Sequence, residues 1–151
     1  MPTLILMRHA QAEPAAIDGA DHERALSDTG RREALRAAQQ LRAMTSLPDR
    51  VLVSPSLRTR QTADIVCGAL GQDGGTCAVV DALYLATPAP LREIIAANAA
   101  GSACLLVIGH NPGISELAAQ LTRESGGFSL PTGGLCRIEL ADSGWNALRN
   151  R

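Results

Sequence analysis

The stretch LILMRHAQAE, residues 4–13, sets four apolar residues directly against Arg8 and His9 and then turns polar. With Thr3 it reads as a short strand, Thr3–Met7, buried on both faces. A parallel strand covered by helices on each side shows such an unbroken apolar run rather than an alternation. Ending that strand in a cation beside an imidazole is unusual, and the rest of the chain has to say what the two groups meet.

The same pattern recurs along the chain. Arg50–Val53 (RVLV), Cys77–Val80 and Ala103–Ile108 (ACLLVI) read as further buried strands. Leu135–Leu140 alternates apolar and polar, as an edge strand with one wet face does. Between them lie helical spacings. Asp28 or Thr29 caps a helix over Gly30–Thr45, with Ala34, Ala37, Ala38, Leu41 and Met44 on one face. Ser54-Pro55 offers an N-cap and a first-turn proline for a helix to about Leu70. Thr87-Pro88 opens one that ends near Ala100-Gly101, and Asn111-Pro112 caps another carrying Ile114, Leu117, Ala118 and Leu121 on one side. Ala10–Ser27 and Gly126–Gly134 read as loops and Gly71–Gly75 as a turn. Gly133-Gly134 marks tight backbone passage into the edge strand, and Trp145 covers the core near the C-terminus. Strands alternating with helices predict an α/β fold. We expect a three-layer α/β/α sandwich with a mostly parallel sheet and an antiparallel edge strand, in a single domain over residues 1–151.

Composition narrows the function classes. The formal net charge is -1, and all 14 basic residues are arginine. That balance argues against a nucleic-acid arm or a polybasic membrane patch. Aromatic residues are limited to Phe128, Tyr84 and Trp145, so stacking platforms for single-stranded nucleic acid are missing. Cys67, Cys77, Cys104 and Cys136 show no metal-binding spacing and read as small buried hydrophobes in a reducing compartment. Arg8 and His9 interrupt the first apolar run too early for a signal peptide, and no stretch is long enough to span a membrane. A cytoplasmic protein is expected, as a monomer or weak dimer.

Ligands of a parallel sheet collect outside the carboxyl ends of its strands. Three such ends carry unusual residues here. The first ends in Arg8-His9; the second leads through Ser54-Pro55-Ser56 into LRTRQT; the fourth ends in Gly109-His110-Asn111-Pro112. From Arg58, residues Thr62, Ile65, Val66 and Ala69 follow at helical intervals, so Arg58 lies on the sheet-facing side and Arg60 on the opposite one. A cation on a buried face in a first turn opposes the helix dipole, which is costly unless an anion joins it. Asn111 and Pro112 place a helix N-terminus, with free N–H groups, beside His110. Two arginines and two histidines at the mouth of a sheet fit a phosphate dianion. Each close charge pair is worth roughly 4 kcal/mol at an effective dielectric near 20, before desolvation. Neutral His9 is then a nucleophile, giving a phosphohistidine that water hydrolyses, with its other ring nitrogen held by an acceptor such as a backbone carbonyl. His110 and the arginines would stabilise charge on the phosphoryl oxygens. Arg24, in DHERAL, reaches the same place from the first loop, or else makes a surface salt bridge.

These residues resemble the histidine phosphatase superfamily, also called phosphoglycerate mutase-like. LMRHA is similar to its Arg-His-Gly signature with Ala10 for Gly, SPSLRTRQTA to its second-arginine segment, and GHNP to its second-histidine segment. Short length, DHERALSDTGRREA, LYLA and LPTGGL look most like SixA-type phosphohistidine phosphatases. The resemblance implies that His9 is the nucleophile, that Arg8, Arg58 and His110 form the phosphate pocket with Arg24 and Asn111 binding substrate, and that neither metal nor cofactor is needed. Many members carry a carboxylic acid after the third strand as general acid; in VVDALYLA the nearest is Asp81. Imidazole leaves more easily than an alkoxide, so a weak or absent acid favours a phosphohistidine substrate. The expected substrate is phosphohistidine on a protein, such as a phosphotransfer domain. The alternatives are a phosphatase of small phosphoesters or nucleotides, and an inactive phosphate-binding adaptor.

Overall fold

In the computed structural model, which describes residues 1–44, 47–72, 76–123, 128–141 and 144–150, one five-stranded sheet carries the chain. The strands are β1 (Thr3–Arg8), β2 (Arg50–Val53), β3 (Cys77–Val79), β4 (Cys104–Gly109) and β5 (Leu135–Glu139), in the order β3-β2-β4-β1-β5. Pairings β1·β4, β2·β4 and β2·β3 are parallel, and β5 joins β1 antiparallel at the edge. The helices are α1 (Asp28–Arg42), α2 (Leu57–Ala69), α3 (Pro88–Asn98) and α4 (Gly113–Thr122). The expected Thr45 end of the first helix and the Gly74-Gly75 turn fall outside the described residues, as does Gly126 of the expected last loop.

Side chains alternate across each strand, and the two apolar faces collect different helices. Leu4, Leu6, Leu52, Leu105 and Val107 pack under α3 and α4 through Leu91, Ile95, Ile114 and Leu117. Ile5, Met7, Val51, Val53, Leu106 and Ile108 pack under α1 and α2 through Ala34, Ala37, Leu41, Ala63 and Val66. The result is the expected three layers. The alanine-rich face of α1 lets that helix lie close to the sheet, which suits a core with few aromatic rings. Trp145 packs against the first of these clusters and donates its indole N–H to the Ser102 carbonyl at 3.0 Å.

Helix starts differ from the sequence reading. Ser27, not Asp28 or Thr29, caps α1 by accepting from the Gly30 amide at 3.0 Å. Gly30 is required there, because a Cβ would stand 2.0 Å from the Gln11 carbonyl oxygen that α1 approaches. Ser56, not Ser54, caps α2. Helix α4 begins at Gly113 with Pro112 in the cap position and no side-chain cap. Asn111 is therefore not its N-cap: its Oδ1 accepts from the Ser115 hydroxyl, and its amide donates to Ser129 Oγ and the Leu130 carbonyl. Gly133, at φ 74, gives its amide to the Arg8 and His9 carbonyls as the chain passes into β5. Among the described residues no helix is long and apolar enough to cross a membrane.

Candidate active site

The parallel strands deliver their ends to one place. β1 ends at Arg8, and the His9 amide continues the ladder by donating to the Gly109 carbonyl at 3.0 Å. β4 delivers His110, and α2 carries Arg58 in its first turn; both side chains are buried, each 3% exposed. The His9 and His110 rings meet edge to face with centroids 5.3 Å apart. Arg58 spans them, its Nε donating to His9 Nε2 at 3.3 Å and its Nη2 to His110 Nδ1 at 3.2 Å. A cavity of about 470 Å³ opens over these groups, lined also by Arg8, Arg24, Asn111 and Thr132. Arg60 is exposed, as its helical phase requires.

The partners fix both tautomers, since a carbonyl only accepts and a guanidinium only donates. His9 Nδ1 lies 2.7 Å from the Ala10 carbonyl and so carries the proton, leaving Nε2 as the acceptor of the 3.3 Å bond from Arg58 Nε. His110 Nδ1 accepts from Arg58, so its proton is on Nε2 and goes to Ser54 Oγ at 2.7 Å. Ser54 thus orients the second histidine rather than capping a helix. Arg8 gives Nη1 to the Leu130 carbonyl at 3.0 Å, while its buried Nε has no partner among the described residues. A buried donor without an acceptor is expensive, and an oxyanion in the cavity would relieve it.

The resting counter-charge is a residue that sequence reading quoted without giving it a role. Asp21 stands in a 3-10 turn, Asp21–Glu23. Its Oδ2 accepts from Arg58 Nη2 at 2.9 Å, its Oδ1 from Arg24 Nη1 at 3.1 Å, and its backbone carbonyl from Arg58 Nη1 at 2.8 Å. The Tyr84 hydroxyl also donates to Oδ2, and the Tyr84 ring packs on His110 at 5.4 Å. The Tyr84 bond and the two guanidiniums hold the Asp21 carboxyl well below the usual carboxylate range, while the same bond pushes the Tyr84 hydroxyl up. Asp21 therefore makes burial of Arg58 tolerable. Its signal was the i,i+3 spacing to Arg24; Tyr84 had none, because it arrives from 63 residues away. Arg24 lines the cavity, with Nε on the Glu13 carbonyl at 2.8 Å. Asp81, the expected acid, is exposed in the turn Asp81–Leu83 and does not line the cavity. The chain leaves that turn through Leu85, which lines the rim at φ 51, a left-handed conformation costing a branched side chain about 1 kcal/mol or more.

Both histidines are held neutral. Burial, reinforced by Arg58, Arg8 and Arg24, pushes His9 down to about 4 despite its bond to Ala10. Burial and then Arg58 push His110 down to about 3. Unfolded histidines titrate near 6.5, so below that pH the unfolded chain takes up protons that the folded chain refuses until about pH 4. Stability from these two groups is complete above about pH 6.5 and falls as pH drops through that window. Asp21 adds a separate loss only below the unfolded carboxylate value near 3.9. Tm is expected to fall between about pH 7 and pH 5, measured by calorimetry in matched buffers; a flat Tm there contradicts the burial of two neutral imidazoles.

Comparison with known proteins bears on this constellation. Residues 4–83 match the family model of the histidine phosphatase superfamily, branch 1. An uncharacterized protein of Mycobacterium tuberculosis, Rv1276c, is 36% identical over 145 residues, covering 89% of this chain and 87% of its own. Among solved structures, the protein histidine phosphatase SixA complexed with tungstate is 29% identical with a TM-score of 0.79, covering 94% of this chain and 90% of that one. A protein from Nakamurella multipartitia, provisionally named phosphohistidine phosphatase SixA, is 31% identical with a TM-score of 0.81, covering 98% and 89%.

Proposed function

The chain belongs to the histidine phosphatase superfamily, is similar to its SixA-type members and is a phosphatase; from that premise we propose that it dephosphorylates phosphohistidine carried on a protein, through a phosphohistidine intermediate on His9. The observation that carries this is the state of the His9 ring. It is neutral, its Nδ1 proton is donated to Ala10, and its Nε2, at the wall of the cavity, carries the lone pair and accepts only a long 3.3 Å bond from Arg58 Nε.

In the first step Arg58 Nε turns from His9 Nε2 to a phosphoryl oxygen, and the freed Nε2 attacks phosphorus. The new N–P bond forms as the bond from phosphorus to the substrate's imidazole breaks; that ring, protonated from water on its other nitrogen, leaves as the neutral imidazole of the partner's side chain. Water then attacks the phosphoryl group on His9; the N–P bond breaks, inorganic phosphate departs and His9 returns neutral. Arg8, with its unpartnered Nε, and Arg58 hold the non-reacting oxygens, and Arg24 closes the same side. A phosphoryl oxygen competes with Asp21 for Arg58, so binding exchanges one anion for another instead of exposing a buried cation. His110 lines the same cavity beside His9, kept in register by Ser54 and Arg58. Asn111, whose amide is engaged with Ser129 and Leu130, shapes the cavity wall.

Leaving-group chemistry supports the choice of substrate. A sugar phosphate expels an alkoxide and needs a proton donor in place. Asp81 stands outside the cavity, and Asp21 is kept ionised by Tyr84, Arg58 and Arg24. Imidazole needs no donor from the enzyme, because its second ring nitrogen takes a proton from water near neutral pH and the ring then leaves neutral. We expect kcat/KM for a phosphohistidine peptide or phosphotransfer domain to exceed that for sugar phosphates and nucleotides by about a hundredfold, the worth of a missing general acid. The assay is run in EDTA with each substrate in parallel. A preference for the small phosphoesters would overturn the protein substrate and leave the phosphatase in place.

A further inference from the structure

The cysteines take no part in the cavity, yet two of them face each other. Cys67, near the end of α2, and Cys77, the first residue of β3, bring their Sγ atoms to 3.1 Å. A disulfide bond is near 2.0 Å, so only about 1 Å separates this pair from bonding distance. Cys67 is 6% exposed and packs in the core, whereas Cys77 is partly exposed at the sheet edge. Among the described residues no group of three or more His, Cys, Asp and Glu forms a metal donor set that would account for the pairing.

We propose that Cys67 and Cys77 form a reversible oxidation site that closes to an intrachain disulfide when the protein meets a hydroperoxide. Cys77, the more exposed residue of the pair, attacks the peroxide oxygen through its sulfur. An S–O bond forms, the O–O bond breaks, and the alcohol, or water from hydrogen peroxide, leaves with the thiol proton. The Cys67 sulfur then attacks Cys77; the S–S bond forms, the S–O bond breaks, and hydroxide leaves as water with the Cys67 proton. Two thiols lose two electrons in all, and the peroxide gains them. A dithiol reductant reverses the bond. The order of attack follows access and chemistry together, since burial pushes the Cys67 thiol up to about 12 and leaves it the poorer first nucleophile.

The bond would join two neighbouring elements of the α1/α2 face. Cys67 lies nine residues beyond Arg58, about 14 Å along the helix axis. The staple therefore tightens the far end of α2 and stays clear of the phosphate cavity. Oxidation should raise Tm by roughly 5 °C or more while kcat stays unchanged.

The sequence makes the test direct. Trypsin cuts after Arg60 and Arg92, so Cys67 and Cys77 fall in one peptide, 61–92, while Cys104 and Cys136 fall in others. Native protein is treated with hydrogen peroxide, quenched, denatured, alkylated and digested. Peptide 61–92 should appear two mass units lighter and unalkylated, should regain both alkyl groups after dithiothreitol, and should never form the loop in Cys77→Ser. Alkylation of both thiols after oxidant, or a bond drawn to Cys104 or Cys136, overturns the proposal. Wild-type mapping decides even if the variant folds poorly.

Discussion

Replacing His9 with alanine is expected to reduce hydrolysis of an aryl phosphate by roughly 10³- to 10⁵-fold, to the level of buffer. An aryl phosphate is the right probe because its leaving group needs no proton, so the measurement isolates the nucleophile from the question of a general acid. The substitution should leave the fold intact. Among the described residues His9's side chain bonds only the Ala10 carbonyl and Arg58 Nε, and the backbone link to Gly109 survives the change. A second signature accompanies the loss. Wild type quenched during turnover should carry phosphate in an acid-labile, alkali-stable linkage on the peptide containing His9, and the alanine variant should not. If the variant turns over as fast as wild type, or wild type no faster than the variant's background, catalysis does not run through His9. The chain would then be a phosphate-binding domain on a phosphatase fold.

What sequence made legible follows a physical division. The strands read at Thr3–Met7, Arg50–Val53 and Ala103–Ile108, observed at Thr3–Arg8, Arg50–Val53 and Cys104–Gly109, were readable because a strand buried on both faces has no freedom to be polar. Arg8, Arg58 and His110 stood out for the complementary reason: a cation or imidazole at a buried strand end or helix face demands a partner. Caps were harder. Ser54, Ser56 and Thr59 offer competing oxygens within one turn, and geometry alone gives Ser56 the cap, with Ser54 taken by His110. Asn111 looked like a cap by residue type, but its amide is spent on the 129–130 segment. Tyr84 could not be read, and Asp21 only through its spacing to Arg24, because their contacts to Arg58 and to each other cross 37 and 63 residues. Asp81 shows the converse error: closeness in sequence to the expected position did not bring it to the cavity.

Arg58→Ala should cost the second-largest share of activity, about 10²- to 10³-fold in kcat/KM, and Arg58→Lys should recover only a minor part of it. The guanidinium is the one group that touches both imidazoles and Asp21 in the resting site. A charge pair with phosphate at ~4 Å is worth up to ~4 kcal/mol at an effective dielectric of 20, which sets the upper end of the loss. Lysine restores the charge but not the planar fork that holds two rings and a carboxylate at once. The deletion also has a signature that a merely structural role would not produce. Arg58 is the first charge, after burial, that depresses both His110 and His9. In Arg58→Ala both imidazoles should titrate closer to 6.5, measured by the pH dependence of their ring proton shifts, while lysine should keep them low. Unchanged imidazole titration in Arg58→Ala, whatever the effect on rate, would mean that the guanidinium does not set the charge state of the two rings.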